Sequence, residues 1–378
     1  MKKRMLIILT GLLLCMVMFA GCADDAPTEV AEREPLETFS WRMATCWTPA
    51  YKLIEHDYYW LEVMDKLVGD QVNIDFYTEG ELLRANEVLD AAADNTIQIG
   101  SDFPGYWAGK DTAFNLIASF PMWFTAYDYL NWLREAGGQA EVDRVYGAQG
   151  VQPFVHGPIT VESGPRGTRP IRSLADYRGL KIRISGRAQG RIIAELGGSQ
   201  VSILSAEVYQ GMQRGLLDAA ESCTPHLDWG LGYGEITTYH GAPGWHQPGS
   251  LCVLFFNQSV WDGLPQNIQD AVEIAADATF LQTLAYQDYG SARGTELFNE
   301  AGVTSHRLPM SALETLQDLA YVQLYEMAEE NPSFAQIATS MAEYLVYYDK
   351  WRQLAYPFGH GWVDSKLPDV DRLRAAAR

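Results

Sequence analysis

Residues Ser173 to Glu221 read SLADYRGLKIRISGRAQGRIIAELGGSQVSILSAEVYQGMQRGLLDAAE, and the punctuation of this stretch decides the fold. Leu180, Ile182 and Ile184 alternate as a strand does, and the helix-like segment that follows is closed by Gly197 and Gly198. Val201 to Leu204 reads as a second strand, and a short helix stopped by Gly215 leads to a third that ends at Glu221. The order is β-α-β-α-β. Arg183 alternates with Ile182 and Ile184 and so points to the opposite face of its strand. With the isoleucines in a core, Arg183 faces outward or into a cleft.

Charge sets this stretch apart from the rest of the chain. The 378 residues carry a formal charge of -20, which argues against polyphosphate and nucleic-acid partners, because those are held by Lys and Arg neutralising phosphates. Yet Arg166, Arg169, Arg172, Arg178, Lys181, Arg183, Arg187 and Arg191 cluster with only Asp176 among them. Such an island is either a solvated face or a local anion site.

The same element order recurs upstream. Phe39 to Thr45 alternates, Leu53 to Leu67 has helical spacing and ends at Gly69, and Val72, Ile74 and Phe76 alternate again. A helix candidate over Leu82 to Ala93 and a strand over Thr96 to Ile99 then precede a Gly-Ser-Asp turn. Two successive α/β units, in a chain 47% hydrophobic, imply two similar lobes with a cleft between them. Lobe I is expected to hold residues 38–155 and 251–310, and lobe II residues 156–250. Downstream, 239–249 reads as irregular, Leu251 to Phe256 as a buried strand, and Pro265 to Tyr289 as a helix. Residues 311–378 form a helical C-terminal segment. Its aromatic stripe (Tyr321, Tyr325, Tyr344, Tyr347, Trp351) reads as packing, and this helix could also serve a partner subunit as a homodimer contact.

At the other end, residues 1–21 have a basic start, an apolar run from Met5 to Phe19 and small residues before Cys22, which is the form of a signal peptide. Phe19-Ala20-Gly21-Cys22 looks like a bacterial lipobox, making Cys22 a lipidation site. Acyl chains at ~0.8 kcal/mol per buried CH₂ would anchor the protein to a membrane. Residues 22–37, polar and without periodicity, read as a tether, placing the body on an extracytoplasmic or periplasmic face.

Catalytic templates are missing: there is no HExxH, CxxC, GK[ST] or GxSxG. No two histidines have metal-ligand helical spacing, although His156, His226, His240 and His246 could converge at a cleft. Cys46, Cys223 and Cys252 cannot all pair, and which two would form a disulfide is not deducible.

Several motifs together resemble the extracytoplasmic solute-binding proteins of tripartite ATP-independent periplasmic (TRAP) transporters, in the branch that binds 2-oxo acids and other small carboxylates. They are Trp41-Arg42-Met43-Ala44-Thr45, Gly80-Glu81-Leu82, Tyr106-Trp107-Ala108-Gly109-Lys110-Asp111, Ser173-Leu174-Ala175-Asp176 with Gly179-Leu180-Lys181-Ile182-Arg183, Gln213-Arg214-Gly215 with Asp218-Ala219-Ala220-Glu221, and Pro243-Gly244-Trp245-His246. The resemblance implies a two-lobed α/β fold, like that of periplasmic binding proteins, that closes over an anionic ligand and delivers it to membrane subunits of the transporter, with no catalytic activity. It implies that Arg183 grips the ligand carboxylate, for which a planar guanidinium is suited. Trp47, Tyr106, Trp107 and Trp245 are the expected pocket walls. The resemblance also implies a Na⁺ or Ca²⁺ bridging protein and ligand, held by Glu162, Glu221 and Gln247, where Glu and Gln have exchanged at the outer two positions. Ser222 stands where the branch commonly has Trp, and Gly164-Pro165-Arg166-Gly167 replaces an aromatic segment, so a reshaped ligand pocket is expected. Two rivals stand beside this reading. One is a metal-dependent enzyme with Glu162 or Glu221 as base, favoured if a histidine reaches either acid; the other is a ligand sensor without a transporter.

Overall fold

Strand β1 (Phe39–Thr45) forms where the alternation predicts it, with Trp41 and Met43 buried and Arg42 exposed. It pairs in parallel with β2 (Val72–Tyr77) on one side and β3 (Ile99–Asp102) on the other. The computed structural model describes residues 37–203 and 207–355. The signal-peptide and lipidation readings, including Cys22, lie outside those residues, as do Leu204 and everything after residue 355.

Gly100-Ser101-Asp102, read as a turn, is instead the body of β3, an interior strand. Gly100 is there for packing rather than turning, since a Cβ on it would lie 2.3 Å from the Phe255 ring. The first sheet runs β2-β1-β3-β10-β4, with β4 (Val151–Ile159) and β10 (Ser250–Asn257) antiparallel to each other and β10 antiparallel to β3. Every residue of β10 is buried, as its apolar run requires of an interior strand. The helix Glu55–Val68 covers the sheet through Trp60, Met64 and Val68, and Gly69 caps it.

The second sheet runs β11-β9-β5-β8-β6-β7, from β5 (Arg166–Gly167), β6 (Lys181–Arg183), β7 (Ser199–Val201), β8 (Ala219–Ala220), β9 (Tyr239–Ala242) and β11 (Thr304–Arg307). Within it β6 is flanked in parallel by β7 and β8, with the helices Arg187–Glu195 and Val208–Gln213 in the connections, so the expected β-α-β-α-β order is present.

Three chain positions differ from the sequence expectation. Residues 156–159 complete β4 in the first sheet, so the lobe boundary at 155 falls inside one strand, at a bulge opposite Cys252 and Val253. Residues 304–307 pair with β9 in the second sheet, not with lobe I. The first part of 239–249 is strand β9 rather than irregular chain, because β5 and β11 both offer it ladder partners.

One helix, Gln266–Glu300, serves both sheets, running past the predicted end at Tyr289. Ile268, Val272, Ala275 and Thr279 are buried along its first part, where it packs on β4 and the helix Glu55–Val68. Its far part packs on the helix Pro225–Gly230, and this close approach requires Gly294, whose Cβ would sit 2.5 Å from the Pro225 backbone. The helices Met310–Glu330 and Pro332–Ala355 follow. The aromatic stripe divides: Tyr344 packs on Phe124, whereas Tyr325, Tyr347 and Trp351 are exposed. Cys46, Cys223 and Cys252 are buried and free, with no disulfide among them. No helix of the described residues is long and apolar enough to cross a membrane.

Candidate functional site

Arg183 ends β6 facing away from Ile182 and Ile184, and the direction it takes is into a cleft. Its side chain is 7% exposed, and Nη1 donates to Glu221 Oε1 at 2.8 Å and to the Glu221 carbonyl at 2.9 Å. Nε donates to the Ile203 carbonyl at 3.2 Å. Together these bonds fix the plane of the guanidinium. Glu221 follows β8, the neighbouring strand, and its N–H donates to the Arg183 carbonyl, so the pair is positioned by the ladder itself.

Glu162 and Gln247 approach from the two connections between the sheets, after β4 and before β10. Their backbones are joined by a hydrogen bond from Glu162 N–H to the Gln247 carbonyl. Gly244 is needed in this crossing, because a Cβ there would lie 2.2 Å from the Glu162 carbonyl oxygen. Gln247 Nε2 donates to Glu162 Oε1 at 3.3 Å, and His246 Nε2 lies 3.0 Å from Glu162 Oε2 and 3.3 Å from Glu221 Oε2. The side chains of Glu162, Glu221 and Gln247 thus gather beside Arg183, with His246 wedged between the two carboxylates.

The electrostatics of this cluster follow from its burial. Burial opposes ionisation of Glu221, but Arg183, His246 and the Ser185 N–H outweigh it and hold its carboxyl at about 2. Burial, reinforced by the charge of Glu221, pushes Glu162 up to about 8 despite its bond to His246. Burial alone would neutralise His246, yet the two acids raise it to about 9, so at neutral pH it is an imidazolium.

Trp47, Tyr51, Leu53, Phe103, Tyr106, Ile159, Glu162, Arg183, Ser185, Ser222, Cys223 and Gln247 line a tight cleft with about 20 Å³ of free space, room for about one water. Six of the expected residues are in that lining: Arg183, Trp47, Tyr106, Ser222, Glu162 and Gln247. Glu221 stands behind Arg183. Trp107 and Trp245 are not pocket walls: Trp107 is buried with its indole N–H on Asp102, and Trp245 is buried with its N–H 2.9 Å from Tyr177 Oη. Each therefore spends its polar edge inside a lobe. Tyr51, Leu53, Phe103, Ile159, Ser185 and Cys223 were not foreseen, since isolated residues of these types carry no sequence signal. His246 had one, its adjacency to Gln247 in the Gly-Trp-His motif.

The other histidines do not converge there. His156 bonds to Asp57 (2.9 Å), His226 to Tyr286 Oη (2.8 Å) and His240 to Ser305 Oγ (3.1 Å). The basic island also separates into different roles. Arg166 is buried, paired with Asp228 at 3.0 Å and stacked 3.6 Å from the Phe298 ring centre, whereas Arg187 and Arg191 reach Glu330 on the helix Met310–Glu330. Arg169, Arg172, Arg178 and Lys181 are exposed. Gly164 lies against β9 so closely that a Cβ would meet the Gly241 carbonyl oxygen at 1.4 Å, which accounts for a glycine where an aromatic segment is otherwise expected.

A two-sheet α/β molecule with a small anion-compatible cleft between its connections is the architecture of a solute receptor. The model of bacterial extracellular solute-binding protein family 7 (DctP) matches residues 43–331, and the chain belongs to that family. It is 25% identical over 358 residues to the monocarboxylate 2-oxoacid-binding periplasmic protein of Nostoc sp., covering 93% of each chain. Two solved structures share the fold. A TRAP transporter solute-binding protein of Bordetella bronchiseptica, described with copurified calcium and picolinate, superposes with a TM-score of 0.80 at 23% identity over 90% of this chain and 98% of that one. One from Pseudoalteromonas atlantica, described with bound sodium and pyruvate, gives 0.79 at 24% identity over 84% and 97%.

Proposed function

We propose that this protein captures a small organic carboxylate, a 2-oxo or 2-hydroxy acid, outside the cytoplasmic membrane and passes it to the membrane subunits of a TRAP transporter. The observation that carries the reading is Arg183, a buried guanidinium oriented by Glu221 in the wall of a tight cleft lined by aromatic side chains. At neutral pH the cluster holds two cations, Arg183 and His246, against the anionic Glu221, with Glu162 protonated, a balance that favours an incoming anion. The names of the relatives agree with it: the Nostoc protein is a 2-oxoacid binder, and both superposed receptors are described with carboxylates.

Magnitudes require the walls as well as the arginine. Hydrogen bonds to charged groups contribute ~1.5–3 kcal/mol each, while micromolar affinity requires about 8 kcal/mol. Trp47, Tyr51, Tyr106 and Phe103 supply enclosure for the remainder.

The donor set also fits a hard cation. Two carboxylates and an amide oxygen are the ligand types Na⁺ and Ca²⁺ take, once Glu162 has given up its proton and the His246 ring has left Glu221 Oε2. Glu162, Glu221 and Gln247 would hold the ion, which when bound supplies positive charge to the ligand carboxylate. The protein's own contribution is to orient Arg183, keep the acids dry and wall in the ligand.

His246 lies within reach of both acids, the condition set for the enzyme rival. The receptor reading is kept over it because the chain belongs to a family of extracellular solute-binding proteins, and Glu221, the ionised acid, is already engaged by Arg183, His246 and the Ser185 N–H. Lipidation at Cys22 and a homodimer through the exposed Tyr347, Trp351 and Leu354 of the last helix belong to the same reading. The test is calorimetric titration with pyruvate and other small carboxylates, with and without Na⁺ or Ca²⁺. Binding that survives intact in Arg183→Ala, or no heat with any carboxylate, sinks the proposal.

A further inference from the structure

Beyond the cleft, the first sheet holds a second buried group of ligating side chains that the receptor function does not use. His56 and Asp57 sit in the first turn of the helix Glu55–Val68, and His156 is on β4. The three side chains are fully buried, and one ligand atom from each lies within 4.8 Å of the others. We propose that His56, Asp57 and His156 form a site for a d-block divalent cation, with zinc as the probe metal.

The distances suit it. His156 Nε2 is 2.9 Å and His56 Nε2 is 3.5 Å from Asp57 Oδ1. Donors held ~2.0–2.1 Å from a tetrahedral zinc stand about 3.3 Å apart, so both edges match with shifts of a few tenths of an ångström. Neither ring nitrogen of His56 has a hydrogen-bond partner among the described residues, nor does His156 Nδ1. An imidazole buried with its polar atoms unpaired is costly and calls for an occupant beside it.

The surroundings hold these groups in place. Thr45 Oγ1 donates to Asp57 Oδ2 at 2.7 Å, which orients the carboxylate and turns Oδ1 toward the imidazoles. The His56 ring fits beside β4 because residue 157 is glycine: a Cβ there would lie 2.9 Å from His56 Nδ1. The rings of His56 and His156 pack edge to face at 4.6 Å. Two imidazoles with one carboxylate form a mixed nitrogen and oxygen set, which selects zinc-like ions, whereas the Glu162, Glu221 and Gln247 set is all oxygen. The two sites therefore differ in the metal they take.

The test loads the full chain with zinc during refolding, removes excess with a weak chelator, and counts metal and imidazole ligands by elemental analysis and zinc-edge X-ray absorption. One zinc with two imidazoles, retained in wild type and in Glu162→Gln, supports the site. His56→Phe, which keeps an aromatic ring in the same space, should bind zinc about 100-fold more weakly or worse. A zinc with a single imidazole, zinc lost in Glu162→Gln, zinc unaffected in a folded His56→Phe, or no retained zinc overturns it; a buried water would then be the occupant. Should His56→Phe fail to fold, the imidazole count on wild type decides alone.

Discussion

Two histidine–carboxylate clusters lie in one protein, and opposite surroundings give them opposite character. His246 sits between Glu162 and Glu221 and is raised to about 9, while His56, with burial acting against its charge and Asp57 alone to favour it, falls to about 3. The first is a fixed cation at a cleft; the second is a neutral donor in an interior. Residue type therefore does not set the role, and the number of carboxylates facing each ring does.

The largest effect should come from Arg183→Ala. It removes the fork of charge-assisted hydrogen bonds offered to the ligand carboxylate, ~1.5–3 kcal/mol each, so carboxylate affinity measured by calorimetry should fall at least ~100-fold. Asp57→Asn should leave that affinity within about two-fold, since Asp57 bonds to Thr45 and His156 and not to the cleft. A comparable loss in both variants would show that the clusters act as one unit and would break the comparison.

Next is Gly164→Ala. The new methyl would collide with a backbone carbonyl rather than a movable side chain, so β5 must shift from β9. A stability loss of about 1–3 kcal/mol or more is expected in denaturant melts. Since Gly164 lies two residues from Glu162, carboxylate binding should weaken with it.

The pH dependence of stability sharpens the contrast further. His246 has a folded value above its ordinary 6.5, so its contribution is fully present below about 6.5 and is lost as pH rises through about 9. His56 has a folded value below 6.5, so stability is lost as pH falls from 6.5 toward about 3. Melting temperatures in chelator should therefore decline on both limbs. His246→Gln should flatten the alkaline limb and, by removing a cation that holds the Glu221 carboxyl down, part of the acid limb as well. His56→Phe should flatten part of the acid limb, which it shares with His240, also held down to about 3 by burial, and with Glu221, whose contribution is present above 4.5 and disappears toward about 2. An unchanged alkaline limb in His246→Gln would contradict the charged state assigned to that ring.

Least affected should be Arg187→Ala. Its bridge to Glu330 is 2.7 Å long but exposed on both sides, and such pairs contribute ~0.2–1 kcal/mol. A thermal-melt change above that range would mean that the helix Arg187–Glu195 depends on its charges more than on its buried Ile192 and Ile193.

The legible features were those with a local period or a strict chemical requirement. Alternation located β1, β2 and β6, and the opposite-face argument put Arg183 toward the cleft. What escaped depends on partners distant in the chain. Gly100-Ser101-Asp102 looks like a turn until Phe255 is seen to cover Gly100, and β11 reads as part of lobe I until β9 pairs with it. Trp107 and Trp245 failed as pocket walls for the same reason, because their indole N–H groups are claimed by Asp102 and Tyr177. His56 and Asp57 gave no motif, since their third member lies on a different strand.

The helix Gln266–Glu300 has a mechanical consequence. At 35 residues it is roughly 50 Å long, and it is bedded on the first sheet along one part and on the helix Pro225–Gly230 along the other. Any rotation of one sheet against the other must be borne by this rod, as bending or as slip at one of its seats. A lever of that length turns a tilt of ~10° about its middle into about 4–5 Å at either tip. The cleft is narrow, but the stroke it can deliver to the outer surface is not.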